Sequence, residues 1–159
     1  MTNDDLDDED LYHVTLYSNL AGITDDGLRA GGQGIGSRAL DAHRRGKVFM
    51  TEAEGISFWA ERMENFVNDR YDDVREAEAV PVVLRFAEPD AELEEDAIGT
   101  QDAGAGAFYC RCIIDPDEIT VWDGKEWTSI EDWESIPWDA GIDEEGYLVW
   151  DSPLIPDMD

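Results

Sequence analysis

The stretch Leu11-Tyr12-His13-Val14-Thr15-Leu16 decides the fold. Its β-branched and aromatic residues read as a strand. Successive side chains of a strand point to opposite faces. With Tyr12 and Val14 turned to a core, His13 and Thr15 turn together to the other side. Ser18 to Leu28 then reads as a short helix, with Ser18 at its cap, Leu20, Ile23 and Leu28 packed inward and Gly27 at its exit.

Outward from that unit, strands and helices first alternate and then strands cluster. Gly31-Gly32-Gln33-Gly34-Ile35-Gly36 reads as a loop, and Ser37 can cap a helix from Arg38 to Arg45. Lys47 to Thr51 is a second strand. A longer helix runs from Thr51 or Glu52 to about Asn68, with Ile56, Trp59, Met63, Phe66 and Val67 as its apolar stripe. Val80 to Phe86 is a third strand, and Pro89 to Gly106 reads as an acidic loop. Ala107 to Ile114 is a fourth strand, turned by Asp115-Pro116-Asp117-Glu118. A hairpin around Asp123-Gly124 joins Ile119–Trp122 to Glu126–Trp127. The last part, 129–159, reads as an acidic, Trp-rich wrap of the same domain with one short strand, Tyr147–Trp150. The expectation is an α+β domain over 11–128, with a mixed or mainly antiparallel β core and two or three helices. Residues 1–10 are expected to be a mobile acidic tail.

The 159 residues fit one domain. With 11 Lys plus Arg against 40 Asp plus Glu, the formal net charge is −29, yet 42% of residues are hydrophobic and six are Trp. A disordered acidic chain lacks that apolar content, so the acidity belongs to the surface of a folded body. Such a surface repels phosphates, which argues against non-specific binding to nucleic acid or an anionic membrane. No apolar run approaches the roughly 20 residues of a membrane span, and the acidic start is unlike a signal peptide. A cytoplasmic location is therefore expected. Three readings of the acidity compete: adaptation to a high-salt cytoplasm, mimicry of a nucleic acid, and plain solubility. The presence of only two Lys, Lys47 and Lys125, and the dispersion of the acids favour salt adaptation. Cys110 and Cys112 are expected as two small apolar thiols on one strand face, with no metal ligand set around them.

Charge position says more than the total. From Gly27 to Thr51 stand five cations, Arg29, Arg38, Arg44, Arg45 and Lys47, against the single acid Asp41. This island also holds the Gly-rich loop and a helix start, where backbone N–H groups can receive an anion. The pyrophosphate of a nucleotide is the expected ligand. The glycine pattern follows a helix and not a strand, so it is not a Rossmann fingerprint.

These residues carry a resemblance. Leu11-Tyr12-His13-Val14-Thr15, then Asn19-Leu20 and Ile23, then Asp26-Gly27-Leu28-Arg29, resembles the start of the ADP-ribosyltransferase-like fold, in the branch of tRNA 2′-phosphotransferases and DNA-modifying ADP-ribosyltransferase toxins. Val48-Phe49-Met50-Thr51 followed by Phe58 and Trp59 resembles the family's second motif. Phe108-Tyr109 and Ile114-Asp115-Pro116-Asp117-Glu118-Ile119 resemble a late strand and the turn after it. The resemblance covers about 11–122 and implies that NAD, or a related nucleotide, is the ligand and substrate. It places His13 on the nicotinamide ribose, Thr15 and Thr51 beside it, Phe58 or Trp59 against the nicotinamide, and Arg29 with the phosphates. ADP-ribose would pass to a nucleic acid or protein acceptor. The late strand has no Glu where many such transferases have one, which leaves His13, Arg111 and Glu118 as catalytic candidates. The competing expectations are a catalytically degenerate nucleotide- or protein-binding module of the same fold, and an acidic nucleic-acid-mimic decoy.

Salt adaptation has a direct consequence. At about 1 M salt the screening length falls to about 3 Å, so self-repulsion fades. The melting temperature should rise with KCl well into the molar range, and a flat or falling profile in a thermal scan contradicts salt adaptation.

Overall fold

The computed structural model describes residues 10–29, 48–89, 93–110, 112–149 and 152–156, with Arg29 described by its backbone alone. Nine strands are described: β1 Asp10–Leu16, β2 Leu28–Arg29, β3 Val48–Thr51, β4 Pro81–Ala87, β5 Glu94–Glu95, β6 Ala107–Cys110, β7 Ile113–Ile114, β8 Thr120–Trp122 and β9 Trp127–Ser129. The described α-helices are α1 Leu20–Asp26, α2 Ile56–Arg70, α3 Val74–Ala77 and α4 Ala97–Ala103. The result is an α+β fold on an antiparallel sheet of order β5-β6-β3-β1-β4-β8-β9, with β2 and β7 as a separate pair.

β1 lies in the interior of that sheet. Its ladder with β4 is continuous, from Asp10 opposite Ala87 to Leu16 opposite Pro81. Both of its faces are covered. Tyr12 and Val14 pack with Val83 of β4 and with Ile56 and Ala60 of α2. Leu11 and Leu16 join a larger cluster with Val82, Leu84 and Phe86 of β4, Leu20 and Ile23 of α1, and Ile130 and Leu154. The expectation that only one side of this strand meets a core is therefore corrected. A central strand with a helix on one side and α1 plus the C-terminal segment on the other is largely covered, and only Asp10 and His13 keep partial exposure.

The hairpin is as expected, β8 and β9 pairing through Trp122 opposite Trp127. Its loop is held by the Asp123 carboxylate, which accepts from the N–H groups of Lys125 and Glu126 at 2.8 Å each. The C-terminal aromatics close the core. Tyr17 lies 5.6 Å from Trp133 and 5.8 Å from Trp138, ring centre to ring centre, and Trp122 Nε1 donates to the carbonyl of Pro153 at 3.0 Å. Burial holds the Tyr17 phenol above the usual tyrosine range, with the carboxylates of Glu78 and Glu134 adding to the shift.

Four local expectations change. Ser18 caps nothing: a 3-10 turn covers Tyr17–Asn19, and the helix starts at Leu20 behind Asn19, whose side chain makes no cap bond. The stretch 89–106 is not all loop. Asp96 caps α4 by accepting from the Gly99 N–H at 3.1 Å, a start signal hidden in an acidic run. The single strand from Ala107 to Ile114 is two, because β6 belongs to the large sheet and β7 leaves it to pair with β2. The strand expected at Tyr147–Trp150 is reduced to one bridge, Ile142 opposite Leu148, in a segment made mostly of 3-10 turns. Of the tail expected at 1–10, Asp10 instead begins β1, and 1–9 lie outside the described residues, as do the Gly-rich loop and the Arg38–Arg45 helix. Among the described residues no helix is long and apolar enough to cross a membrane.

Gly27 shows how tightly β2 is set. Its φ is +82°, and a Cβ there would stand 2.7 Å from the Ile114 carbonyl oxygen. Gly27→Ala should cost about 1–3 kcal/mol in urea unfolding, from the left-handed backbone and the close approach to β7 together. An unchanged midpoint contradicts this placement of α1 against β7.

Candidate functional site

The position of interest is the border between β1 and β3. Their register pairing is a single position, Tyr12 opposite Thr51, the last residue of β3, although β1 runs on to Leu16 and β3 reaches back to Val48. On its far side β3 pairs along its whole length with β6, from Val48 opposite Cys110 to Thr51 opposite Ala107. The sheet is thus stitched closely on either side and only once in between.

His13 stands next to that single stitch. Its Nδ1 lies 2.6 Å from the carbonyl oxygen of Phe49, on β3. A carbonyl only accepts, so Nδ1 carries the proton and donates. In the neutral ring Nε2 is then the acceptor nitrogen. The imidazole is half-buried. A side chain makes this link to β3, beside the one register pair.

Thr15 is placed differently from its expected role in a groove. It is only 5% exposed, and its Oγ1 accepts from Asn19 Nδ2 at 3.1 Å. The sequence reading gave Asn19 no such part. The hydroxyl ties the end of β1 to the following turn, because the central strand is covered on this side too.

Thr51 is also buried, at 3% exposure. Its Oγ1 lies 3.0 Å from the Glu52 carbonyl and 3.2 Å from the Gly106 carbonyl, so its one proton is directed to the backbone. Gly55 passes close over this hydroxyl, and Trp59 borders the same turn. Phe58 and Trp59 meet edge to face at 4.9 Å, and the Arg62 guanidinium lies 5.9 Å and 6.0 Å from their ring centres. Arg62 also pairs loosely with Asp102 at 4.0 Å, a half-exposed contact that adds little stability. Trp59 Nε1 is buried with no hydrogen-bond partner among the described residues.

Register shows which of these residues share a face. Directly opposed residues of paired strands point to the same side. His13 opposes Leu84 and Thr15 opposes Val82, both in the larger cluster. Thr51 opposes Tyr12, which packs under α2 with Trp59 at the margin. The convergence of His13, Thr15, Thr51, Phe58 and Trp59 on one cleft is therefore corrected. The first two lie on one side of the sheet and the last three on the other, because α2 follows β3 directly and crosses back over β1 and β4.

Of the remaining candidates, Arg29 sits in β2 opposite Ile113. Its side chain lies outside the described residues, as do Arg38, Arg44, Arg45, Lys47 and Arg111. Glu118 is exposed on the 3-10 turn Pro116–Glu118, which packs against α1 and the Ile130–Ser135 turn. It belongs to neither face of the β1–β3 border. No Glu occurs on β6, but the Glu52 side chain reaches the start of that strand by lying over Gly106. Nothing in the sequence pattern singled out Glu52, since the contact depends on how two distant turns meet. An open depression of about 370 Å³ at the end of α2, lined by Arg70, Tyr71, Asp72, Asp73, Glu76 and Ala77, contains none of the expected site residues. Among the described residues no group of three or more His, Cys, Asp and Glu is placed to hold a metal ion.

The His13 link is testable by itself. His13→Phe keeps a ring and removes the donor to the Phe49 carbonyl. Stability in chemical unfolding should fall by about 1–2 kcal/mol. Full retention would show that the imidazole does not join the two strands.

No protein-family model matches this chain, and neither a curated protein nor a solved structure matches it.

Proposed function

We propose that this domain binds a nucleotide of the NAD type at the β1–β3 border, and that it binds without transferring ADP-ribose. The observation carrying the reading is the single register pair between β1 and β3, at the last residue of β3, with the His13 imidazole bonded beside it to the Phe49 carbonyl. The part-buried imidazole, fixed at the strand border by this bond, is the group assigned to the ribose in this reading. The cation run that ends at Lys47 enters β3 directly at Val48, the strand end farthest from the single pair. A chain of net charge −29 disfavours a pyrophosphate elsewhere on its surface, so local cations are what such a ligand requires. The resemblance of residues 11–29 and 48–59 to the ADP-ribosyltransferase-like fold agrees with this ligand class.

The same observations favour binding over transfer. A developing positive charge on the ribose calls for a carboxylate aimed at it. β6 carries none, Glu118 stands on a separate exposed turn, and the Thr15 hydroxyl is engaged by Asn19. The aromatic pair Phe58–Trp59 belongs to the opposite side of the sheet and is left out of the proposed site.

Titration of NAD into the isotope-labelled protein in KCl buffer, followed by amide NMR, tests this. Shifts are expected at His13, Val48 and Phe49, with NAD recovered unchanged by chromatography. His13→Ala should weaken binding about tenfold, the value of one good hydrogen bond. No shifts at millimolar NAD would overturn the site, and release of nicotinamide would overturn the claim that it only binds.

A further inference from the structure

We propose that Cys110 and Cys112 form a reversible thiol–disulfide site, opened and closed by a small thiol of the glutathione class. This stands apart from the nucleotide reading. The structure joins the two sulfurs as a disulfide across a sequence separation of 2, with Cα atoms 5.4 Å apart, where two separate thiols were expected. That spacing lies inside the usual disulfide range of about 4.4–6.8 Å. Both side chains were expected on one strand face; Cys110 closes β6 and Cys112 stands just before β7.

The bond does not serve to staple the fold. The gain from a cross-link grows with the length of loop it closes, and this loop is about as short as one can be. β6 is already held by a register of four positions with β3. Opening the disulfide therefore leaves the sheet in place, as a reversible site requires. The two sulfurs also differ in access. Cys110 is 1% exposed and packs in the larger core cluster, whereas Cys112 is half-buried at its margin. An external thiolate is thus directed to Cys112.

The exchange balances as follows. A thiolate RS⁻ attacks the Cys112 sulfur, the S–S bond breaks, and Cys110 leaves as a thiolate that takes a proton from water. A second RS⁻ attacks the R sulfur of the mixed disulfide, RSSR departs, and the Cys112 thiolate is protonated. Two RSH have then supplied two electrons and two protons. The reverse exchange with RSSR closes the bond. Because Cys110 sits opposite Val48, the change occurs where β3 begins.

The test uses the full folded chain in buffers of graded glutathione to glutathione-disulfide ratio, quenched with iodoacetamide and weighed intact. The count of alkyl groups should pass from none to two across the accessible ratios, with the far-UV circular dichroism unchanged. Glutathione disulfide should cap Cys112 in Cys110→Ser about tenfold or more faster than it caps Cys110 in Cys112→Ser, following access. Two free thiols at the most oxidising ratio, a bond that survives the most reducing one, loss of the circular dichroism on reduction, or equal capping of the two variants would each overturn the proposal. None of these readouts involves a nucleotide.

Discussion

The fold depends on one asymmetry in the bonding of β1. This strand is paired along its full length to β4 and only once to β3, while core clusters pack on both of its faces. The β4 ladder satisfies its backbone on one edge. On the other edge the register with β3 is the single pair Tyr12–Thr51, and the His13 imidazole makes a contact to β3 beside it. A polar ring inside a sheet is tolerated only where it finds a partner, and the Phe49 carbonyl is that partner. The rim of the same strand is closed differently. Asp10 pairs with Arg85 at 3.7 Å, and the Arg85 guanidinium lies over Trp127 at 4.6 Å, so the first turn of the ladder is sealed by charge and an aromatic face.

Elements with strong local signals were legible in the sequence. β1, β3, β4, α2 and the β8–β9 hairpin lie within a residue or a few of where composition and periodicity put them, since each has a dense apolar pattern or a Gly turn. What was not legible depended on tertiary partners. Asp96-Ala97-Ile98-Gly99 opens a helix, but its cap was lost among neighbouring acids. Cys110 and Ile114 look like one strand because nothing local marks where the chain leaves one sheet for another. The site was read less well than the fold. Alternation correctly set His13 and Thr15 on one side of β1, but only register shows that Thr51 and Trp59 lie on the other. Burial of Thr15 follows from the second core layer, built by α1 and residues near the C-terminus that no local pattern ties to β1.

Charge and core are separate solutions in this chain. The 40 acids outnumber the 11 cations so far that most carboxylates have no cation to pair with, yet the interior is built from ordinary aliphatic and aromatic packing. The few described ion pairs between side chains are half-exposed or at the sheet rim and contribute little. Stability therefore rests on the two apolar layers about the sheet, and the excess of acids keeps the surface hydrated. Along the sequence the run from Gly27 to Thr51 is the exception in sign, which is why the anionic ligand is proposed at the strand it leads into.

The most direct measurement is amide hydrogen exchange of the native protein along β1. Between His13 and Leu16 the amides directed at β4 should exchange slowly and the alternate ones, directed at β3, markedly faster. Equal slow exchange of both sets would mean that β1 and β3 are joined by an unbroken ladder, and the account of His13 at an interrupted border would be wrong.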